Sequence, residues 1–398
     1  MSVTAAKGFV AAGVAAGIKG GDRLDVALIA TADGAPATAA GVFTKNKVCA
    51  APVQISRRAL QSGAASAIIV NSGNANAATG EQGRRDAVEM CERTANLLHV
   101  DPDDVLVCST GLIGFPLPME AIRKGIDLAV PARAFHIEAG QAAADAICTT
   151  DTVRKEAAAT FVVDGQEVTV GGMAKGAGML EPAMATMLAF VTTDARVERA
   201  ALETALKVAV DDSFNAMTVD GCMSTNDTVL VLANGAAENR EIRAGAPEFH
   251  AFADALTLVC RSLCDQIVHD AEGATRIATL TVRGARDDGE ARSAARTVAN
   301  SQLVQCSLDG GGAYWGRVYS ELGASGVTLD PEDITIKYNG ITVCDRGVAV
   351  AHDEGRLARS MQARDIAIDV ELHQGDGKAS MVFTALSHAY VDENRGVS

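Results

Sequence analysis

The chain has 398 residues, 48% hydrophobic and 21% charged, the balance of a globular protein with room for two domains or one large two-lobed body. Fifty acidic side chains against 35 basic ones leave a net charge of −15, which argues against a nucleic-acid or anionic-membrane surface, because phosphate contacts need clustered Lys and Arg. Aromatics make up only 4%, so the core is expected to be close-packed from Ala, Gly, Val and other small side chains.

Taken from the N-terminus, Gly8 to Ile18 have the outline of a secretory h-region, but Ala and Gly dominate it and no clear cleavage site follows. No run reaches the length of a membrane span. The nine cysteines are scattered, odd in number and without a C-x-x-C pair, so reduced thiols and a cytoplasmic setting are expected. Strand and helix signals then alternate, the mark of an α/β class. Ala67-Ile-Ile-Val70 and Val105-Leu-Val107 read as buried strands, each leading into a glycine-rich turn. Val88, Cys91, Ala95 and Leu98 fall on one helix face, as do Phe249, Phe252, Leu256, Leu263 and Ile267. Asp164-Gly165 and Asn339-Gly340 each sit between apolar runs and predict two-residue hairpins. Ile366, Ile368, Val370 and Leu372 alternate as one face of a strand. No repeat or low-complexity linker appears, and the charged stretch from Glu238 to Pro247 is the nearest thing to a boundary.

The most unusual segment is Gly171-Gly-Met-Ala-Lys-Gly-Ala-Gly-Met-Leu-Glu-Pro-Ala-Met-Ala-Thr-Met-Leu-Ala-Phe190. One reading is a glycine loop entering a buried helix, with Thr186 bonded back to a helical carbonyl. A phosphate cradle fits poorly, since Lys175 precedes its glycines and the G-x-x-x-x-G-K-[ST] spacing is absent. The third reading makes Thr186 a nucleophile. Its hydroxyl attacks the preceding carbonyl, water opens the resulting ester, and the new α-amine, with a pKa of about 7.7–8.0, serves as base beside the hydroxyl.

Met173-Ala-Lys-Gly-Ala-Gly-Met179, with Pro182 and Met184-Ala-Thr-Met-Leu188, resembles the self-cleavage signature of the ornithine acetyltransferase (ArgJ) family. So do other blocks in family order: Gly41-Val-Phe-Thr44 with Ala51-Pro52, Val70-Asn-Ser-Gly-Asn-Ala-Asn76, Ser109-Thr-Gly-Leu-Ile-Gly114, Thr149-Thr-Asp-Thr152, Asp220-Gly-Cys-Met-Ser-Thr-Asn-Asp-Thr228 and Asp270-Ala-Glu-Gly-Ala274. The likeness covers nearly the whole chain.

The resemblance implies an α/β fold of the DmpA/ArgJ type, with mixed sheets packed with helices. It implies a cut between Ala185 and Thr186, leaving an α chain (1–185) and a β chain (186–398) whose smaller C-terminal α/β lobe starts at about 245. Thr186 would carry an acetyl group from N-acetylornithine to glutamate. Thr110 and Gly111 match the family's oxyanion-hole pair, and Thr149, Lys175, Thr186, Glu272, Asn394 and Ser398 match substrate contacts, with Ser398 standing in for a terminal Ser/Thr. No metal or cofactor is implied; acetyl-CoA is a second donor in bifunctional members. An α2β2 heterotetramer is the expected assembly. An amidase or aminopeptidase of the related fold is the alternative, told apart by whether ornithine release depends on glutamate.

Overall fold

The computed structural model describes residues 2–181 and 187–396. The first third runs β1 (Phe9–Val14), β2 (Val26–Thr31), β3 (Ala37–Phe43), α1 (Ala51–Ala59), β4 (Ala64–Ala65), β5 (Ala67–Asn74), α2 (Gly80–Leu98) and β6 (Val105–Leu112). Next come α3 (Met119–Ala132), α4 (Ile137–Ile147), β7 (Lys155–Val163), β8 (Gln166–Lys175), β9 (Leu188–Thr193), α5 (Arg199–Asp211), β10 (Met217–Thr218), β11 (Thr228–Ala233) and α6 (Pro247–His269). The last stretch holds β12 (Ile277–Ala285), α7 (Asp288–Ala299), α8 (Gln302–Asp309), α9 (Trp315–Ala324), β13 (Thr335–Tyr338) and β14 (Ile341–Asp345). It ends with β15 (Val348–Ala349), α10 (Glu354–Ser360), β16 (Asp365–Glu371), β17 (Gly377–Thr384) and α11 (His388–Glu393).

Both expected hairpins form. Asp164 and Asn339 take φ of 49° and 48°, and the glycines after them 80° and 75°, the left-handed pair that a two-residue turn demands. The strands assemble into three sheets, ordered β1-β2-β5-β6, β4-β3-β11-β9-β8-β7 and β10-β17-β12-β16-β13-β14-β15. The first two lie face to face. Phe9, Ile29, Ile68 and Leu106 of one meet Leu188, Phe190, Leu230 and Leu232 of the other. Behind the first sheet, Leu28, Ile69 and Val107 pack on Met90 of α2 and on Ile122 and Ile126 of α3. Behind the second, Ala189, Val191, Val229 and Val231 pack on Leu202 and Leu206 of α5 and on Phe252, Leu256 and Leu263 of α6. The result is a helix–sheet–sheet–helix sandwich. Each fully buried Leu or Phe in it contributes about 1.5–3 kcal/mol.

The third sheet is a separate layer, with Leu280, Val282, Ile336, Ile368 and Val370 against α7, α8 and α9. Its strands follow α6 in sequence except for β10, which pairs parallel with β17.

One of the three readings of the glycine-rich segment is overturned. The apolar run after Thr186 is not a helix: Leu188–Thr193 is strand β9, in the middle of the second sheet between β8 and β11. It is buried on both faces, so Leu188 and Phe190 point to the facing sheet while Ala189 and Val191 point to the helices. A strand covered on both sides carries no polar alternation to betray it.

Candidate active site

The site grows from the parallel pair β5 and β6. Thr110 and Gly111 lie at the end of β6, where the ladder shifts register between Gly73 and Asn74. Gly111 adopts a φ of 131°, and a Cβ on it would stand 2.3 Å from the Gly73 carbonyl carbon and 2.5 Å from the Asn74 nitrogen. Only glycine fits there. Thr110 beside it is buried. Asn226 braces this strand end from the other sheet, donating to the carbonyls of Ser109 (2.9 Å) and Ala75 (2.6 Å). Two backbone strands are thus locked at the point where the family resemblance puts an oxyanion hole.

Gly111 opens onto a cavity of about 440 Å³ that also touches Lys19, Arg23, Gly73 and Thr149. Thr149 is fixed through its backbone N–H, which donates to Asp151 at 3.0 Å. Asp151 is the hub of the next layer. Its carboxylate also accepts from the Gly176 N–H at 2.7 Å, pairs with Lys155 at 2.5 Å and stands 3.9 Å from Lys175. Asp151 and Lys155 are completely buried and Lys175 is 3% exposed. Burial alone pushes the Asp151 carboxyl up; the charges of Lys175 and Lys155, with the Gly176 bond, outweigh it and hold the group at about 2.

Lys155 reaches on to Asp270, which also accepts the Thr152 N–H (2.9 Å) and hydroxyl. Two residues further, Glu272 donates its N–H to the Ala177 carbonyl at 2.9 Å and lays its carboxylate against Gly178, where a Cβ would come within 2.4 Å of it. Asn394 donates to the same carboxylate at 2.9 Å. Thr149, Lys175, Glu272 and Asn394, spread over some two-thirds of the chain, are therefore joined by one chain of contacts, and the cavity links Thr149 to Gly111.

Ala185, Thr186 and Ser398 lie outside the described residues. The backbone on both sides of the proposed cut is firmly held. Upstream, Asp220 accepts the N–H groups of Met179 (2.6 Å) and Leu180 (3.0 Å) and the Tyr390 hydroxyl (3.0 Å). Downstream, Asp227 accepts the Met187 N–H at 3.1 Å. Asp227 is fully buried, and its second carboxyl oxygen has no hydrogen-bond partner among the described residues. Burial raises its pKa well above the ordinary carboxyl range, against the smaller opposing effects of the Met187 N–H, Ser224, Lys175 and Thr44.

Sequence reasoning missed Asp151, Lys155, Asp220 and Asp227 as individual residues. All but Lys155 sit inside motifs already singled out, so the signal was present as a block. What it lacked was the long-range pairing, such as Lys155 with Asp270, that turns a motif residue into a hub.

Two sheets face to face between helices, with a glycine-built strand end and a buried lysine–carboxylate network on one rim, define a layered α/β enzyme whose site is assembled from segments of the whole chain. The ArgJ family profile matches residues 10–396, and the chain belongs to that family, the enzymes of arginine biosynthesis. A Symbiobacterium thermophilum protein called arginine biosynthesis bifunctional protein ArgJ is 48% identical over 394 residues, covering 98% of this chain and 97% of its own. The protein of that name from Streptomyces coelicolor is 43% identical over 398 residues, covering both chains completely. A crystal structure of the Bacillus halodurans protein of that name aligns at 36% identity and a TM-score of 0.50, over 52% of this chain and 97% of the solved one.

Proposed function

We propose that this enzyme cuts itself between Ala185 and Thr186 and then transfers the acetyl group of N2-acetylornithine to glutamate through an acetyl-Thr186 ester. In the cut, the Thr186 hydroxyl oxygen adds to the Ala185 carbonyl and the C–N bond breaks, its nitrogen taking up the proton that the hydroxyl loses. Water hydrolyses the ester to a carboxylate on Ala185 and a free amine on Thr186. That amine then takes the hydroxyl proton as the oxygen attacks the acetyl carbonyl of the donor. The tetrahedral oxyanion forms against Thr110 and the Gly111 N–H, and each well-aimed donor contributes about 2.7–4 kcal/mol to the transition state. The C–N bond to ornithine breaks, its nitrogen taking the proton, and ornithine leaves. The glutamate amine attacks the ester through the same intermediate in reverse. Both half-reactions pose one electrostatic problem, so one site serves both.

The observation that carries this reading is the bracketing of residues 181–186 by two fixed carboxyl anchors. Asp220 holds Met179 and Leu180, Asp227 holds Met187, and the upstream arm continues directly from Lys175 and Gly176. A scissile bond between fixed ends keeps its nucleophile in register once it is cut. The solved Bacillus halodurans chain, nearly all of it matched by about half of this one, has the size of a single piece. Lys175 suits a substrate carboxylate and Glu272 an ornithine ammonium, with Asn394 and Ser398 closing that end. Acetyl-CoA serves as a further donor to glutamate, and the two pieces assemble as an α2β2 heterotetramer in the cytoplasm.

The test is mass spectrometry of purified protein before and after N-acetylornithine. Two pieces, one beginning with Thr186 and gaining roughly 42 Da, are expected. A single unmodified chain, or ornithine release at full rate without glutamate, would overturn the proposal.

A further inference from the structure

The rim of the site carries charge that neither amino-acid substrate uses. Residues 34–80 contain no Asp or Glu and four cations, Lys45, Lys47, Arg57 and Arg58, in a chain where 50 of 398 residues are acidic. Arg58 lies with Glu92 and Asp103 around a separate cavity. The other three gather at the loop that follows β3. Lys45 and Lys47 are exposed there, and neither has a carboxylate partner among the described residues. Arg57 reaches back from α1, donating to the Thr44 carbonyl at 3.1 Å and standing 5.4 Å over the Phe43 ring. The loop is built rather than loose. The Thr44 hydroxyl donates to the Ser224 carbonyl (2.8 Å) and accepts the Asn46 N–H (3.1 Å). The Asn46 side chain in turn accepts the Val48 N–H (3.0 Å) and donates to the Met223 carbonyl (3.2 Å).

The sheet sets how far this loop stands from the nucleophile. β3 leaves at the end where β9 enters: Phe43 pairs with Thr228, and Thr228 with Leu188. Two strand spacings of about 4.8 Å put Thr44 roughly 10 Å from Met187, the residue after Thr186. Between the lysines and the proposed oxyanion donors the exposed side chains are apolar. Ile113 and Phe115 stand out just past Gly111, on a turn that the Asn74 side chain fixes by donating to the carbonyls of Phe115 (3.2 Å) and Pro116 (3.0 Å). Val48 and Met223 are exposed on the side of the lysines. Residues 75–77 join the two. The Ala75 N–H donates to the Leu112 carbonyl and the Ala77 carbonyl accepts the Gly114 N–H (2.9 Å each), while the Asn76 carbonyl accepts the Ala51 N–H at 3.3 Å. An apolar strip that starts at an acyl-transfer site and ends on cations without counter-charge suits a long, thin acyl donor with an anionic tail.

We propose that this strip seats a thioester donor, with the pantetheine arm of acetyl-CoA over Ile113, Phe115 and Val48, its phosphates on Lys45 and Lys47, and Arg57 behind them. This rests on the acetyl-transfer reading above. The Thr186 oxygen adds to the thioester carbonyl, the C–S bond breaks, and the sulfur leaves with the proton that the Thr186 amine took from the hydroxyl. The length fits. From sulfur to the first phosphorus the arm spans about thirteen bonds, the reach of about four peptide units, or about 15 Å when extended. The lysines stand on a loop that begins roughly 10 Å from Met187 and carries them further out. N-acetylornithine and glutamate are too short to span that distance from the oxyanion donors, so the lysines touch neither.

The test is steady-state kinetics with glutamate as acceptor and acetyl-CoA, S-acetylpantetheine or N-acetylornithine as donor. Wild type is compared with the double variants Lys45→Gln/Lys47→Gln and Lys45→Arg/Lys47→Arg. The Gln pair is expected to raise KM for acetyl-CoA by about tenfold at low ionic strength, with kcat little changed, and added salt should shrink the difference. The Arg pair should restore most of the loss. S-acetylpantetheine keeps the thioester and the arm but has no phosphate, so its KM should be similar in wild type and the Gln pair. An unchanged KM for acetyl-CoA, an equal rise for S-acetylpantetheine, or a rise shared with N-acetylornithine would overturn the inference. So would a fall in assembled mass by sedimentation with KM for acetyl-CoA intact, which would assign the lysines to a contact between copies. If wild type drew no acetyl group from acetyl-CoA, this inference would fall while transfer from N-acetylornithine left the reading above standing. If it drew none from either donor, that reading itself would fail, so the two failures are separable.

Discussion

Replacing Asp151 by Asn tests the buried network directly, because the side chain keeps its shape and loses its charge. In the folded protein the carboxyl is held at about 2 against an ordinary 3.8, nearly two pH units. At 1.36 kcal/mol per unit this is about 2 kcal/mol of stability. The shift is downward, so that stability is fully present above the unfolded value, near 4, and is lost as pH falls through the window from about 5 to 2. The variant also leaves the buried Lys155 with Asp270 as its one carboxylate, and unbalancing a buried pair typically costs about 3–5 kcal/mol. Urea unfolding of wild type and Asp151→Asn at steps between pH 7 and pH 3 should show the variant less stable by several kcal/mol at pH 7. The gap should narrow by about 1 kcal/mol at pH 3, with the rest of the ~2 kcal/mol lost only at lower pH. Parallel curves would mean that Asp151 does not titrate against the lysines as the geometry requires. A variant as stable as wild type at pH 7 would refute the network itself.

Thr186→Ala should give one uncut, inactive and still folded chain of 41.0 kDa on a denaturing gel, since a hydroxyl and a methyl contribute little to a core this large. Thr110→Ala should slow acetylation and deacetylation of the enzyme together, each by about a hundredfold, in single-turnover assays. Asp227→Asn keeps an acceptor for the Met187 N–H and removes a carboxyl whose pKa is raised by burial. Above the ordinary carboxyl range its stability should exceed wild type, with the gain shrinking as pH falls and both groups become neutral, while self-cleavage or transfer slows; thermal melts at pH 7 and pH 4 compare them. Glu272→Gln should raise KM for N-acetylornithine more than for glutamate, the opposite asymmetry to one expected of a cation.

Local chemistry was readable wherever one residue type is forced. Asp164-Gly165 and Asn339-Gly340 announced their hairpins because few pairs tolerate two successive positive φ angles. The alternation from Ile366 to Leu372 announced β16 because one face is covered and the other is not. The same logic explains the failure at β9. Buried from Leu188 through Thr193, it has neither the period of a helix nor that of a half-exposed strand. The site divides likewise. Gly111 was singled out only through the family block that holds it, while Lys175 stood out as a cation among glycines. Asp151 did not, since nothing near it in sequence shows that Gly176 and Lys175 will close on it.

The second sheet takes β3, β4, β7 and β8 from before residue 186 and β9 and β11 from after it. β8 and β9 share six paired positions, as do β3 and β11. Opening the backbone there would sever one covalent link and leave this woven seam untouched, so the halves would not drift apart on dilution. Their reunion after denaturant would be another matter. A search once confined to a single tethered chain would become a meeting of two strangers, its yield set by concentration, and self-cutting would turn a reversible fold into a one-way assembly.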